Sequence, residues 1–550
     1  MNVFLSKLSL RSRYWLALIA GLMLAAAFPK FSIAGFAWVA PGVILLCGIG
    51  KTGRQQFWMG YVAGLAHFLT SLYWLLFIPF PAGAIAAWLA LSGYLAFYTA
   101  IWVWLCWKIF TKLTARCLVD NGDQNFSLGT IFLRTTWRQR TIWSLSCAVI
   151  WVALEMTMAR VFGGFPWNFL GTTQYKLVPL IQIASITGVY GISFLLVWFS
   201  ISLCSAGMLL VQRPQPSRAW SGEIILPALA TAILFAVGYK PPDHEGSVPK
   251  LKVALVQPSI PQTLIFDPSQ NETRFEKIIQ LSENALAENP DVLIWPEASV
   301  PPLTEENFQT ITNMIVSHHV WMIFGADDSE TKETSDGQRR TNFYNSSFLF
   351  SPDGKMAATY RKQHLVGFGE YIPLERWLPF MKWFTPIEGG FTPGAGPVPF
   401  QIESPRAKTS VLICFEDAFP HYAREHVETD TDFLLNLTND GWFGKSAAQW
   451  QQAVDALFRA VENGLPLVRC TNNGLTCWID KRGRLRKIFQ GESGDVYGPG
   501  FLLAEIPLLS PGEKRTPTFY QKHGDWFGWS CGAATLALAL LVRRKSPIVT

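Results

Sequence analysis

Eight apolar runs in this chain are long enough, at about 20 residues, to be membrane-spanning helices. Seven precede Lys250 and one follows Lys522. They cover Tyr14–Pro29, Ile33–Gly50, Phe57–Pro79, Ala86–Trp107, Thr141–Met158, Gly191–Val211, Glu223–Tyr239 and Trp526–Val542. An additional apolar segment, Val178–Tyr190, is interrupted by Pro179 and Gly188 and is expected to be re-entrant or interfacial. The pattern predicts a polytopic α-helical membrane domain of about eight spans.

The stretch from residue 248 to 522 has a different pattern, in which short β-type segments alternate with amphipathic or turn-rich ones. The predicted strands are Lys252–Gln257, Asp291–Trp295, Trp321–Gly325, Tyr344–Phe350, Thr409–Cys414, Phe433–Leu437, Leu467–Thr471 and Leu475–Asp480. The predicted helices are Glu272–Ala287, Glu305–His318 and Ala447–Asn463. This alternation is typical of a layered α/β domain. We therefore predict a membrane domain at 1–247, an α/β catalytic domain at 248–522 and a C-terminal span with a short tail at 523–550.

Composition and charge support the membrane assignment. Half of the residues are hydrophobic, only 16% are charged, and the mean hydropathy is +0.21. This excludes a single water-soluble globule and a disordered chain. The net charge of +6 is modest and no basic stripe with interleaved aromatic residues is present, so no nucleic-acid partner is expected. The nine cysteines have no C-x-x-C spacing, which argues against a disulfide framework or a zinc site, and no metal or cofactor is expected.

Lysine and arginine are distributed unequally between the loops on the two sides of the predicted spans. The loops on one side contain Lys7, Arg11, Arg13, Lys51, Arg54, Lys108, Lys112, Arg116, Arg134, Arg138, Arg140, Arg213, Arg218, Arg543, Arg544 and Lys545. The short loops on the other side contain only Lys30, Arg160 and Lys176. Because basic loops remain in the cytoplasm, both termini are predicted to be cytoplasmic and the α/β domain to lie on the opposite face.

Three predicted strand ends in the α/β domain lead into chemically reactive side chains. Asp291-Val-Leu-Ile-Trp-Pro296 leads into Glu297, Tyr360-Arg361 precedes Lys362, and Ser410-Val-Leu-Ile413 precedes Cys414. A carboxylate, an amine and a thiol are the groups that covalent acyl transfer requires: a base, an oxyanion stabiliser and a nucleophile.

Each of these residues also has a purely structural interpretation. A cysteine at the end of an apolar strand is commonly a small buried hydrophobe, and this is how we interpret Cys470 and Cys477. An acidic residue after Trp-Pro commonly ends a strand at solvent, and Lys362 could be a solvated charge. Spacing alone leaves both interpretations open.

The order of the motifs resembles a known family. Trp295-Pro296-Glu297, Tyr360-Arg-Lys362-Gln-His-Leu-Val366, Phe368-Gly369-Glu370, Ile413-Cys414-Phe415-Glu416 and Leu437-Thr-Asn-Asp440-Gly-Trp-Phe-Gly444 follow one another along the chain. They are similar to the nitrilase superfamily and, more narrowly, to its membrane-embedded branch, the bacterial apolipoprotein N-acyltransferases. Gly164-Phe-Pro-Trp167 and Gly188-Val-Tyr-Gly-Ile-Ser-Phe194 extend the resemblance into the membrane half. It implies a nitrilase-like αββα sandwich on a helical membrane domain.

The resemblance also implies residue roles. Glu297 would be the general base, Lys362 the oxyanion stabiliser and Cys414 the nucleophile. The supporting residues would be Glu370, Glu416, Phe415 and Asn345, and the substrate-binding residues Phe266, Trp377, Trp383 and Trp442. Trp377, Phe380, Trp383 and Phe384 would form a lipid-facing or lid loop, or else pack beneath the site. The sequence departs from the family pattern at Phe266 for Trp, Phe415 for Tyr, Gly367 for Pro and Leu465 for Arg.

The implied function is acyl transfer in the bacterial inner membrane. The donor would be a phospholipid, the acceptor the N-terminal amine of a diacylated apolipoprotein, and the catalytic domain would face the periplasm. A monomer is expected. Two other interpretations are a membrane-tethered amidase, which would use water as acceptor, and a transporter with a soluble domain. Few ionisable residues other than Glu155 lie within the predicted spans, which disfavours transport.

Overall fold

The computed structural model describes residues 8–119, 135–212, 221–240, 248–302, 304–333, 339–373, 375, 377, 382–383 and 390–543. The chain forms two compact units. The first contains residues 1–73, 87–240 and 525–550, and the second contains residues 74–86 and 241–524.

The first unit is helical. Its helices are α1 (Leu10–Ala26), α2 (Ala40–Cys47), α3 (Gly53–Ser71), α4 (Pro81–Val119, of which residues 81–86 belong to the second unit), α5 (Trp137–Met158), α6 (Val178–Ile181), α7 (Ala184–Thr187), α8 (Tyr190–Gln212), α9 (Ser221–Gly238) and α16 (Trp526–Arg543). Four segments of the described chain are long and apolar enough to cross a membrane: Pro81–Thr114, Trp137–Met158, Tyr190–Leu210 and Trp526–Arg543. Gly222–Gly238 and Val178–Thr187 are shorter apolar helical segments.

The predicted span at Ile33–Gly50 contains only a short helix. A 3₁₀ turn at Ala34–Trp38 precedes α2, which has Pro41 in its first turn and is eight residues long. Eight residues of helix rise only about 12 Å, less than half of a hydrocarbon core. Hydrophobicity therefore identified an apolar segment here whose backbone is not one continuous helix.

Two arginines of the first unit, Arg140 and Arg13, are buried and hydrogen-bonded within the unit. Arg140, which the loop count treats as an exposed basic residue, lies in α5 and forms a fully buried ion pair with Glu223 of α9. Arg13 is also buried and donates hydrogen bonds to the carbonyls of Cys47 and Ile49, at the end of α2. These two arginines pair within the unit, while the other basic residues still give the loops their unequal charge.

The second unit is built on two six-stranded sheets. The strands are β1 (Lys250–Gln257), β2 (Val292–Ile294), β3 (Trp321–Glu333), β4 (Arg339–Phe350), β5 (Met356–Arg361), β6 (Pro399–Ile402), β7 (Ala407–Ile413), β8 (Phe433–Thr438), β9 (Leu467–Thr471), β10 (Cys477–Ile479), β11 (Leu485–Ile488) and β12 (Gly500–Pro507). The sheet orders are β12-β1-β2-β3-β4-β5 and β11-β10-β9-β8-β7-β6. The pairs β1-β2, β2-β3, β7-β8 and β8-β9 are parallel, and the remaining pairs are antiparallel.

The side chains of the central strands alternate between two cores, as the period of a strand requires. Val253 and Leu255 of β1 share a buried cluster with Ile413 of β7 and Leu435 of β8, so the two sheets face each other. The intervening Ala254 packs instead with residues of the helices on the outer face. Those helices are α11 (Asn271–Leu286) and α12 (Glu305–His318), whereas α13 (Pro420–Glu425) and α14 (Ala448–Asn463) accompany the second sheet. The two remaining helices are α10 (Gln262–Ile265) and α15 (Phe519–His523).

The predicted strands all correspond to strands in the structure, but four observed strands were not predicted. These are β5, β6, β11 and β12. Two of the predicted strands are longer than the sequence indicated, because β3 and β4 extend into a hairpin that pairs Thr331 with Thr341 and Glu333 with Arg339. Polar residues occupy both faces of this hairpin, so hydrophobic alternation could not reveal it.

The segment 74–86 was predicted to lie in the membrane domain, yet it packs within the second unit. Trp74 is buried, its indole donates a hydrogen bond to Gln451 Oε1 at 3.0 Å, and its ring meets Phe443 edge-on at 4.6 Å. An apolar run alone could not distinguish this contact from a lipid-facing position.

Candidate active site

Glu297 lies three residues beyond the end of β2 and is hydrogen-bonded on both carboxylate oxygens. Its Oε1 accepts from Asn345 Nδ2 at 2.8 Å and from Lys362 Nζ at 3.3 Å. Its Oε2 accepts from the backbone N–H of Asn439 at 2.9 Å. Gly325 of β3 passes so close that a Cβ there would be 2.8 Å from the Glu297 Cα. The carboxylate is therefore buried and fixed by donors from three separate segments.

Lys362 follows β5 and is almost fully buried. Its ammonium donates to Glu370 Oε1 at 2.8 Å as well as to Glu297. Burial alone would lower the pKa of Lys362, but the charges of Glu370, Glu297 and Cys414 outweigh it and hold that pKa well above its ordinary value. Lys362 is therefore a buried cation whose ammonium group lies between the carboxylates of Glu297 and Glu370.

Cys414 begins a 3₁₀ turn directly after β7 and has a left-handed backbone conformation, with φ of 51°. Such a φ is uncommon for a residue with a side chain. Hydrogen bonds to the Cys414 backbone stabilise it here. The Cys414 carbonyl accepts hydrogen bonds from Asn436 Nδ2 at 3.1 Å and from Gln452 Nε2 at 3.0 Å. Burial and the Glu297 carboxylate raise the pKa of the Cys414 thiol well above its ordinary value, although Lys362 opposes them. The thiol is therefore neutral at rest.

Glu416 connects the turn after Cys414 to the end of β5. Its Oε1 accepts from the backbone N–H groups of Gln363 and His364, at 2.7 and 3.0 Å. Its Oε2 accepts from the Ile413 N–H at 2.7 Å, and the Tyr360 hydroxyl donates to the same carboxylate. This fully buried carboxylate ties the segment before Cys414 to the segment after Lys362.

A second buried charge cluster lies beneath the Cys414 turn. Arg469 of β9 donates to Asp417 Oδ2 and to Asp440 Oδ2, each at 2.8 Å, and to Asn436 Oδ1 at 2.7 Å. All three charged side chains are buried. Burial raises the pKa of Asp417 to about 7, although the charge of Arg469 opposes this effect. Arg469 thus orients Asn436, the residue that supports the Cys414 carbonyl.

We expect Arg469→Leu to destabilise the second unit strongly. The substitution leaves Asp417 and Asp440 buried without their common cation, a change that typically costs about 3–5 kcal/mol. The thermal transition of the second unit in the purified full-length protein should move to a markedly lower temperature. The matched control is Lys250→Leu, which breaks an exposed pair with Glu505 and should leave that transition unchanged. Equal transition temperatures for the two variants would contradict the structural role of the cluster.

The structure brings together two of the four predicted substrate-binding residues. Phe266 is half exposed and meets Trp442 edge-on, with ring centroids 5.4 Å apart. Both are linked to the carboxylate cluster through Asn439, which bonds Glu297 by its backbone and Gln262 Oε1 by its side chain. Trp442 lies three residues beyond Asn439, and Phe266 lies four beyond Gln262. The aromatic pair therefore borders the site.

The other predicted aromatic residues are in the loop after Glu370. Trp377 and Trp383 are 82% and 78% exposed. Such exposure excludes packing beneath the site for these two. Phe380 and Phe384 lie outside the described residues. Phe415 contacts Phe419 edge-on at 5.0 Å and lies 6.3 Å from the His364 ring, so it belongs to an aromatic group behind the turn.

Several residues that support the site were not predicted from the sequence. Asn439 was part of the quoted Leu437–Gly444 motif but was given no role. Asn436, Gln452 and Arg469 lie on an apolar strand, a helix and another apolar strand, and no local pattern marks them. Asn436 and Arg469 are polar residues within otherwise apolar strands, whereas Gln452 lies on the polar face of its helix.

The fold and this cluster define a membrane protein with a nitrilase-like domain. Residues 252–496 match the carbon–nitrogen hydrolase family, and residues 20–202 match the apolipoprotein N-acyltransferase N-terminal domain. The chain belongs to the apolipoprotein N-acyltransferase family.

Curated relatives match nearly the whole chain. A protein of Geobacter metallireducens named apolipoprotein N-acyltransferase is 35% identical over 98% of this chain and 96% of its own length. Another of that name from Vibrio vulnificus is 30% identical over 96% and 97%. Among solved structures, an amidase of the nitrilase superfamily from Nesterenkonia AN1 is 18% identical, covering 48% of this chain and 94% of its own, with a TM-score of 0.35.

Proposed function

We propose that this protein moves a fatty acyl chain from a membrane phospholipid, through a thioester on Cys414, to the N-terminal amine of a diacylated apolipoprotein. Relatives named apolipoprotein N-acyltransferase match both units, which is the observation that carries this proposal. The local geometry supports it, since a base, a cation and a thiol come from three different strand ends into one buried site.

The resting site favours proton transfer coupled to attack. Because the pKa of Cys414 lies well above its ordinary value, a preformed thiolate is disfavoured and a base must remove the proton as the sulfur attacks. Glu297 is the general base in this proposal. Its carboxylate already accepts hydrogen bonds from Asn345, Lys362 and the Asn439 N–H, which fix its orientation.

In the first half-reaction, the Cys414 sulfur attacks the ester carbonyl of the phospholipid while its proton moves to Glu297. Lys362 and a backbone N–H stabilise the negative charge that develops on the carbonyl oxygen. The tetrahedral species then collapses, the ester C–O bond breaks, and Glu297 returns the proton to the departing lysophospholipid oxygen. An acyl thioester remains on Cys414.

In the second half-reaction, the neutral N-terminal amine of the apolipoprotein attacks the thioester carbonyl. Glu297 accepts a proton from the nitrogen as the C–N bond forms. The C–S bond then breaks, the proton returns to the sulfur, and the products are an amide and the free thiol.

The supporting residues act by holding these groups. Asn345 donates to both Glu297 and Glu370, at 2.8 and 2.7 Å, and so fixes the carboxylate pair around Lys362. Glu416 fixes the turn that presents Cys414. Phe415, in place of the family's tyrosine, contributes an aromatic contact without a hydroxyl group.

For lipid contact we assign Phe266 and Trp442 to the border of the site and Trp377 and Trp383 to an exposed apolar loop. Exposed tryptophans suit a membrane interface, where their rings pack against lipid while the indole N–H stays hydrated. Their exposure favours the lipid-facing loop over packing beneath the site.

The unequal loop charges support a location in the bacterial inner membrane, with both termini in the cytoplasm and the catalytic domain on the periplasmic side. That side is where exported lipoproteins would present their N-terminal amines.

A reconstituted assay tests the function directly. Purified full-length protein is incubated with a phospholipid carrying labelled acyl chains and a diacylated lipopeptide with a free N-terminal amine. We expect a third acyl chain, bound as an amide, together with lysophospholipid. The same lipopeptide with a blocked N-terminus is the matched control and should remain diacylated. Release of free fatty acid with no acylated lipopeptide would instead indicate an amidase-type hydrolase.

A further inference from the structure

The first unit contains a partly open cavity near the ends of α1, α3 and α5. Its walls are largely apolar and include Phe28, Trp102, Met158 and Leu170. About 40 Å³ of it is open to the centres of water-sized molecules. The cavity is lined entirely by residues of the helical unit and does not involve the acyl-transfer site described above.

Three polar side chains with unpaired atoms line this one cavity. They are His67, Glu155 and Asn168, which are only 3%, 6% and 8% exposed. Among the described residues, His67 Nδ1, Glu155 Oε2 and Asn168 Nδ2 have no hydrogen-bond partner. Such atoms are costly in an apolar surrounding, by about 1–3 kcal/mol each in proteins. Three of them around one space indicate that the space has a polar occupant.

One oxygen of the Glu155 carboxyl group is hydrogen-bonded within the protein, and this fixes the orientation of the group. Its Oε1 accepts from Trp151 Nε1 at 2.8 Å and from the Leu170 N–H at 2.9 Å. The Ser193 hydroxyl lies close to the carboxyl group, but Oε2 has no hydrogen bond of regular geometry. One oxygen is thus used to position the group, and the other is left for the cavity.

The chemistry of the three atoms restricts the occupant. The Asn168 amide nitrogen only donates, whereas a Glu155 carboxylate oxygen accepts. A metal cation would be repelled by the amide N–H₂ group, and an anion by the carboxylate. The occupant must therefore both donate and accept hydrogen bonds while carrying no charge. The volume open to the centres of water-sized molecules, about 40 Å³, suffices for about three water molecules at 10–15 Å³ each.

We propose that this cavity is a hydration site, in which a small cluster of ordered waters links His67 of α3, Glu155 of α5 and Asn168 of the segment after α5. The waters complete the hydrogen bonding of the three side chains and couple two helices to that segment. The site takes a neutral molecule that both donates and accepts hydrogen bonds, and water fits it by size.

The direction in which the melting temperature changes on substitution of His67 tests the proposal. His67→Phe keeps a ring between Phe28 and Phe68 but removes both ring nitrogens. If waters bridge the site, this variant should melt several degrees below the wild type in lipid nanodiscs, because the cluster loses a partner. His67→Gln keeps a donor and an acceptor and should largely restore the melting temperature. If the cavity is dry, His67→Phe should instead be as stable as the wild type or more stable, because an unpaired nitrogen has been removed.

Hydroxyl-radical footprinting of the same nanodiscs is an independent test. Radicals generated from bound water should oxidise Met158, which lines the cavity, several-fold faster than Met156, which is shielded from bulk solvent to a similar extent (4% against 5% exposed) but does not line it. Equal protection of the two methionines, or continuous hydrocarbon density in the cavity, would overturn the proposal. Neither readout depends on acyl-transfer activity.

Discussion

Replacing Cys414 with alanine should reduce acyl transfer to background, a loss of at least about a thousandfold. The alanine variant has no sulfur on which a thioester can form, and no other described thiol shares its carboxylates and cation. The substitution removes only the sulfur atom and keeps the Cβ, so the turn held by Asn436 and Gln452 should still form. Product formation is measured with labelled phospholipid and diacylated lipopeptide.

The matched controls are Cys470→Ala and Cys477→Ala. Both thiols are buried, and burial raises the pKa of Cys477 to about 12. Burial likewise raises the pKa of Cys470. Both residues therefore act as small apolar side chains and should tolerate alanine without loss of turnover. Transfer by Cys414→Ala at more than a few per cent of the wild-type rate would remove this residue from the mechanism.

Lys362→Met should have the next largest effect, a loss of at least about a hundredfold in the acylation half-reaction. Methionine has nearly the length of lysine but cannot stabilise an oxyanion. The variant also leaves Glu297 and Glu370 without the cation between them. Two neighbouring buried carboxylates cannot both remain ionised easily, so we expect one to become protonated. Acylation should be measured in single turnover, with excess phospholipid and no acceptor.

Two variants separate the role of Lys362 from general damage to the fold. Lys487→Met changes an exposed lysine whose ammonium group donates to the Leu503 carbonyl, and this variant should acylate normally. Glu297→Gln keeps a side chain of the same shape but cannot accept the thiol proton, so it should also fail in acylation. Normal single-turnover acylation by a folded Lys362→Met protein would show that another group stabilises the oxyanion.

The sequence points to the candidate site residues Glu297, Lys362 and Cys414 more clearly than to the residues that hold them in place. Glu297 and Cys414 each follow a strand that ends on Val-Leu-Ile, a pattern that locates the end of a buried strand. Lys362 follows β5, an edge strand with little burial, so the apolar pattern before it is weak and the family resemblance supplied its role. Arg469 and Gln452 reach the Cys414 turn from distant segments, so their contacts depend on the packing of the sheet and α14, which local patterns do not encode.

Hydrophobic runs located the apolar helices but not their lengths. The segment Ile33–Gly50 forms a 3₁₀ turn and a short helix, and the end of the Phe57–Pro79 run leaves the helical unit to bury Trp74 against the α/β domain. In both cases apolar side chains are buried by protein. A hydropathy pattern records only that they avoid water, and does not distinguish lipid from protein as their surroundings.

The covalent intermediate is the central claim, and intact-protein mass spectrometry tests it most directly. Wild-type enzyme supplied with phospholipid and no amine acceptor should gain the mass of one fatty acyl group, located at Cys414 by peptide mapping. Neutral hydroxylamine should remove this group, and diacylated lipopeptide should discharge it with formation of the amide. An adduct on any other residue, or acyl transfer that proceeds without an acyl-enzyme, would contradict the account.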